Sequence, residues 1–229
     1  MKRLLFQFAC CVSLATSAPA QQVIDRIVVV VNDRVITQRD WATQERFEAL
    51  AEGKMPAEQH SPASLERVVD RVLLLQQMAE LNFRPAPPEL VAEEVAAVRK
   101  QLPPERSAND AAWQKTLSDY GIAPDDFQQL VAEQANVLRF IDVRFRSNLR
   151  LSPFDIEKYY REVFLPEFAK NSKGGTAPAL PQVQDKIQQI IIEQRVSEGL
   201  NSFLQSLRAQ ATIRRIAASA ENPTAAVSK

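Results

Sequence analysis

Histidine, glycine and cysteine are the scarce residues of this chain: one, five and two among 229. A lone histidine, His60, cannot supply the clustered imidazoles of most zinc and non-haem iron sites. So few glycines leave no phosphate-cradling loop, and neither G-x-G-x-x-G nor G-x-x-x-x-G-K-[ST] occurs. Both cysteines, Cys10 and Cys11, fall within residues 1–20. The remainder has no disulfide, no thiol nucleophile and no thiolate metal site. Excess charge of one sign is also missing, with 28 basic and 28 acidic residues. Binding nucleic acid as the main partner calls for a basic face, which this balance does not offer. No G-x-S-x-G or H-E-x-x-H is present.

What is there begins with an export signal. Met1-Lys2-Arg3 is a basic start, residues 4–15 are mostly apolar, and Ala18-Pro19-Ala20 fits a small-x-small cleavage site. Residues 1–20 therefore read as a signal peptide cut after Ala20. The apolar run is well short of the ~20 residues a membrane anchor needs. Gln7 stands where a lipoprotein signal wants an aliphatic residue. Without disulfides, the exported part must be held by its core, and it is long enough to bury one.

The body then reads as a hairpin followed by helices. Residues 24–31 are rich in β-branched side chains, Asn32-Asp33-Arg34 is a turn, and Val35-Ile36 a return strand. Thr37 is placed to cap a helix running to about Ala51, with Asp40 completing a capping box. A polar loop over residues 53–62 holds His60. The next helix, to about Leu81, is apolar nearly all round, which predicts a buried central element. Prolines at 85, 87 and 88 stop it. Further helices are expected over about 89–102, 109–120, 125–149 and from Pro153 to about Val163. Gly121 and Pro124 punctuate the second and third of these as a C-terminal glycine and a first-turn proline. Residues 166–181 contain two glycines and three prolines and read as a linker. A strongly apolar helix spans 182–210, "ATIRRI" (211–216) reads as a short strand, and 218–229 as a disordered polar tail.

Candidates for bond-making chemistry are few. His60 adjoins Ser61, but no orienting carboxylate is near in sequence, so it reads as a solvated loop histidine. Asp125-Asp126 suits the positive end of a helix dipole. Glu93-Glu94 reads as a solvated face without metal-ligand spacing. Trp41, Trp113 and the phenylalanines read mainly as core. The residues alone describe an exported, mainly α domain without disulfides or an active site.

Three segments resemble one family: "VIDRIVVVVNDRVITQRDW" (23–41), "LERVVDRVLLLQQMAEL" (65–81) and "LSDYGIAPDDFQQLVAEQANVLRFIDVRFRSNLRLSPFDIEKYY" (117–160). The order of hairpin, buried helix, proline break, helix–glycine–helix, linker and apolar helix is similar to the SurA family of periplasmic chaperones, related to parvulin-type foldases of the PrsA kind. Ala123 departs from the capping hydroxyl usual before Pro124. In that family, prolyl isomerase domains lie where this chain has only residues 166–181, and parvulin sites use a histidine pair. The resemblance therefore implies a SurA-like core over residues 21–217 with the isomerase domain absent. It also implies that "ATIRRI" returns to the N-terminal hairpin, joining both chain ends in one domain.

The function so implied is an ATP-independent holdase in the periplasm, taking part in outer-membrane protein biogenesis. It would bind unfolded secreted or outer-membrane polypeptides through apolar surfaces, with no cofactor, nucleotide or nucleic acid. Peptide-binding candidates are apolar residues in the breaks between helices: Met55, Phe83, Phe164, Leu165 and Phe168. Local packing is the alternative for each. The competing functions are an envelope adaptor or scaffold with one dedicated partner, and a peptidyl-prolyl isomerase. The absent domain argues against the second.

Overall fold

A computed structural model describes residues 25–57, 60–172 and 175–216. The expected signal peptide and the expected tail at 218–229 lie outside them. Strands β1 (Ile27–Val31) and β2 (Arg34–Thr37) form the hairpin. Asn32, with φ 55°, takes the left-handed conformation that a two-residue turn demands. β3 (Ile213–Arg215) pairs antiparallel with β1, so the order is β2-β1-β3. The last strand thus closes onto the first, as the sequence analysis expects. Val29, Val31 and Ile36 point into the main core, whereas Val35 on the opposite face is exposed. This is the alternation of a sheet covered on one side.

α1 (Gln38–Ala51) starts at the expected capping box: Asp40 N–H donates to Thr37 Oγ1 (3.2 Å) and Thr37 N–H to Asp40 Oδ2 (3.0 Å). α2 (Pro62–Glu80) is the central element, burying Val68, Val69, Leu73, Leu74 and Met78 beneath the sheet. α3 (Pro88–Lys100) is followed by a single turn, α4 (Pro104–Ser107), inside what reads from sequence as a proline break. α5 (Asp110–Tyr120) ends at Gly121 with φ 64°, and Ile122 N–H bonds Leu117 O at 2.9 Å. α6 (Pro124–Ile141) then links two cores. Phe127 and Val131 join Phe47, Leu50, Trp113 and Leu117 in one, while Val137 and Phe140 join the sheet and α2 in the other. Asp125 and Asp126 lie exposed in its first turn, where the helix dipole favours them. Glu94 on α3 is half-buried rather than solvated; burial, with Glu93 beside it, raises its carboxyl pKa.

Two π turns alter the expected helices. α6 passes into a π turn at Asp142–Arg146 rather than continuing to Leu149. A second π turn, Tyr160–Phe164, joins α7 (Pro153–Tyr159) to α8 (Leu165–Asn171). Residues 166–181 are consequently not a continuous linker: α8 occupies their first part, and α9 (Leu180–Gln210) begins before their end. The reason is Pro166. Its ring would crowd the carbonyl four residues back in a regular helix. The π turn widens the backbone just before it, with Leu165 N–H bonding Tyr160 O, so the chain stays helical through the proline.

α9, 31 residues and roughly 46 Å long at 1.5 Å per residue, is the longest element. Its second half lays Leu200, Phe203, Leu204 and Leu207 on the main core. Arginines fasten its end to α2. Arg208 reaches Asp70 (2.6 Å) and Glu66 (2.6 Å), and Arg215 on β3 reaches Glu66 (2.7 Å). Hydrogen bonding from Arg215, and then from Arg208, holds the Glu66 carboxyl below the usual range against the opposing effect of burial.

After α1 the chain turns at Gly53, which has φ 66°. A Cβ there would sit 2.6 Å from the carbonyl oxygen of Gln101, at the end of α3. The strained left-handed conformation alone costs an L-residue about 1–2 kcal/mol. Gly53→Ala is expected to lower unfolding free energy in urea by about 2 kcal/mol or more. Gly175→Ala, whose Cβ would meet only ordinary contacts, should stay within about 0.5 kcal/mol of wild type.

Candidate functional site

The five sequence candidates separate in space. Phe83 packs edge-on against Phe140 (centroids 5.3 Å), with the Arg139 guanidinium over its ring at 5.0 Å, and so serves the main core. Met55 is 63 % exposed in the loop after α1, where Arg106 donates to its Sδ at 3.8 Å. Phe164, Leu165 and Phe168 are brought together, half-buried, at the junction of the second π turn and α8.

That junction belongs to an arm made of α7, the π turn and α8, which lies along the first half of α9. Its packing is thin. Ile156, Ile187 and Ile191 are its buried side chains, and Leu151, Tyr159, Tyr160, Phe164, Leu180 and Val183 are only partly covered. Tyr160, Phe164 and Phe168 follow at four-residue steps, the helical repeat that puts side chains on one face. Their successive ring centroids are 5.5 and 5.9 Å apart. Tyr160 Oη donates to Pro178 O at 2.9 Å, so the ring is fixed by its polar tip. Phe154, in the first turn of α7, is 65 % exposed, and Ile190 on α9 is 42 % exposed. Phe154 is hidden in the sequence because it sits inside the capping pattern Ser152-Pro153-x-Asp155, whose signal is polar.

Asp155 both caps the arm and ties it down. Its carboxylate accepts from Ser152 N–H (2.8 Å), Ser152 Oγ (2.7 Å) and Arg195 on α9 (2.8 Å). These bonds, led by the Ser152 backbone, bring its pKa down to about 2. At the base of the arm, Arg146 in the first π turn makes a two-pronged contact with Glu193 (2.6 and 3.0 Å).

A second concave surface opens beside the sheet. A groove of about 670 Å³ lies between β2, α1, α2 and α6. Ile36, Val68, Val72, Leu75 and Leu130 give it an apolar lining, and Arg34, Arg39 and Asp126 stand among its charged residues. β2 forms the sheet edge here, with no strand beyond it among the described residues.

His60 is not the partnerless loop residue that the sequence suggests. Its Nδ1 bonds the Glu45 carboxylate, and its ring lies 4.6 Å from that of Trp41. α1 delivers Glu45 from fifteen positions away, a distance that no local pattern reveals. Ser64 Oγ also bonds Glu45, and Trp41 Nε1 donates to Ser64 Oγ at 2.8 Å. The order is wrong for nucleophilic catalysis. The carboxylate stands between serine and imidazole, and Ser64 is buried. Burial raises the Glu45 pKa, but bonds from Ser64 and His60 outweigh it and leave the carboxyl below its usual value. The cluster pins the loop before α2 to α1. Among the described residues no group of three or more metal-ligating side chains occurs, and no helix is long and apolar enough to cross a membrane.

Comparison with known protein families and with curated protein sequences finds no match to this chain.

The Asp155 geometry sets a pH dependence. Its folded pKa, about 2, lies below the ordinary value of about 3.9. Its contribution is therefore full above pH ~4 and is lost as pH falls through the folded value. Hydrogen exchange should show α7 amides losing protection between pH ~4 and ~2, and Asp155→Asn should expose the same amides at neutral pH. Unchanged α7 protection in Asp155→Asn contradicts this tie.

Proposed function

We propose that the chain is an ATP-independent holdase of the SurA-like kind, exported to the bacterial periplasm, where it shields unfolded secreted or outer-membrane polypeptides. The observation that carries the reading is the arm. A long helix and a bent helical segment share only a thin seam of buried isoleucines, and aromatic rings are left half-covered along it. Apolar surface left open in this way marks a site for association. An unfolded β-rich polypeptide exposes segments prone to edge-to-edge pairing and aggregation, and such surfaces can cover them. The groove beside β2 supplies a second contact, and two weak contacts on one client reinforce each other through effective concentration.

Two further features support a SurA-like core. The C-terminal strand pairs with the N-terminal hairpin, which is the connection the resemblance implies. The described residues of 166–181 hold most of α8 and the start of α9, where the family carries isomerase domains. The activity proposed is binding, without a catalytic step. Release needs no nucleotide if the client's own folding or insertion removes the bound, unfolded form.

The test is dilution of a urea-unfolded outer-membrane β-barrel into buffer without nucleotide. A several-fold excess of this protein is expected to suppress light scattering. The double variant Phe154→Ser, Phe168→Ser should lose most of that protection while keeping the wild-type circular dichroism melt. No suppression by the wild type, together with tight binding of one folded envelope protein, supports the adaptor reading instead.

A further inference from the structure

The sheet edge beside the groove has a geometry that the arm does not share. In the hairpin, Val31 pairs with Arg34, Val30 with Val35 and Val29 with Ile36. On the other side of β1, Asn32 N–H bonds Thr212 O and Ile216 N–H bonds Val28 O. Even-numbered residues of β1 therefore face β3, and Val29 and Val31 face β2. By the alternation of an antiparallel ladder, the N–H and C=O of Val35 point away from β1, toward open solvent. The neighbouring Thr37 N–H is already taken by Asp40. Val35 is thus the open hydrogen-bonding unit of this edge, and it is 41 % exposed.

The groove lies where the next strand would run. Arg34 and Ile36, which line it, alternate with Val35 and share the sheet face covered by α2. A strand added at the ordinary spacing of about 4.8 Å from β2 would place every second side chain on that same face. Those side chains would enter the groove against Val68, Val72, Leu75 and Leu130. Natural sheets usually block such an edge with charge, a bulge or a covering element. Here Arg34 and Arg39 bracket the edge, and neither has an ion-pair partner among the described residues. The other charged residues of the lining are engaged locally, with Asp33 accepting from Gln76, Asp40 from Thr37 N–H and Glu133 paired with Arg71, and Asp126 stands on the α6 side.

We infer that β2 accepts a fourth strand. Its occupant is an extended segment of an unfolded polypeptide, apolar at every second position and acidic at its ends. Val35 gives the backbone pairing, the groove takes the apolar side chains, and Arg34 and Arg39 meet the terminal carboxylates. This is strand addition, in which main-chain bonds give affinity and alternate pockets give selectivity. It extends the holdase reading with a particular client conformation. It is measured by direct peptide binding, so its failure leaves the scattering assay, and the function that assay tests, undecided by it.

The probe is a fluorescein-labelled peptide, Asp-Thr-Val-Thr-Val-Thr-Asp, whose valines and aspartates share one face of a strand, titrated by anisotropy with the wild-type protein. Three comparisons are made: the same peptide N-methylated at alternate residues, the peptide with lysine in place of both aspartates, and the Val35→Pro protein. Proline at 35 removes only an N–H that faces away from β1. Each change is expected to weaken binding at least fivefold. Equal affinity for the plain and N-methylated peptides overturns the inference, as does no binding of the plain peptide at millimolar protein. The N-methylated peptide uses wild-type protein, so it decides the question even if Val35→Pro fails to fold.

Discussion

The pairing of β3 with β1 is the contact on which the rest depends. A hairpin of two short strands is marginal alone and needs a third strand or a helix against its apolar face. The strands persist because Val29, Val31 and Ile36 sit on α2, and because α9 delivers Ile213 beside them. The arginines follow from that placement. Arg208 and Arg215 reach Glu66 and Asp70 only once the end of α9 and the strand after it lie across α2. These partners remain partly open to water, so the ion pairs add direction more than stability. The driving force is the apolar side of α9 meeting the sheet-and-α2 core.

This closure divides the molecule into a well-filled body and a lightly held arm. In the body, α6 carries two cores at once, with Phe127 and Val131 in one and Val137 and Phe140 in the other. A displacement of either core is felt along one helix. In the arm, a few isoleucines, one capping aspartate and the Arg146–Glu193 contact at its base do the holding. The π turns mark the change of character. The first aims Phe145 at Phe203 and at Gly199, where an added Cβ would lie 3.1 Å from the Phe145 ring. The second carries the chain through Pro166 and sets the aromatic series on the arm. Local opening is easiest where buried contacts are few. Adaptable apolar surface is therefore found on the arm, while the body supplies a fixed frame.

Local chemistry is what the sequence makes legible. Thr37 with Asp40, Ser152 with Asp155, and Gly121 each announce a helix boundary, and the structure has them there. The apolar surround of α2 announces burial. The junction of the two chain ends was legible only through the resemblance, since nothing within "ATIRRI" names its partner strand. Two kinds of feature stay hidden from sequence. One is the π turn, which rests on a one-residue change in hydrogen-bond register; without it Pro166 reads as the end of a helix. The other is the long-range polar contact, such as Glu45 with His60 or Asp155 with Arg195, which depends on how helices are laid side by side. For the candidate site, the apolar residues in the breaks between helices include Phe164, Leu165 and Phe168. The same breaks hold Phe83, which the fold uses for packing.

If the C-terminal third of α9 and β3 complete one cooperative domain, removing them unfolds it. Fully burying a leucine or phenylalanine side chain contributes roughly 1.5–3 kcal/mol. Leu200, Phe203, Leu204 and Leu207, partly to fully buried, together contribute several kcal/mol of the ~5–15 kcal/mol by which a domain is stable. The direct measurement is the thermal melt of a chain ending at Gly199 beside one ending at Ile216. The longer chain is expected to show a sharp cooperative transition and the shorter none. A shorter chain that melts cooperatively near the same temperature would show that the end of α9 is an appendage, and would contradict the closure on which the fold and its proposed function both stand.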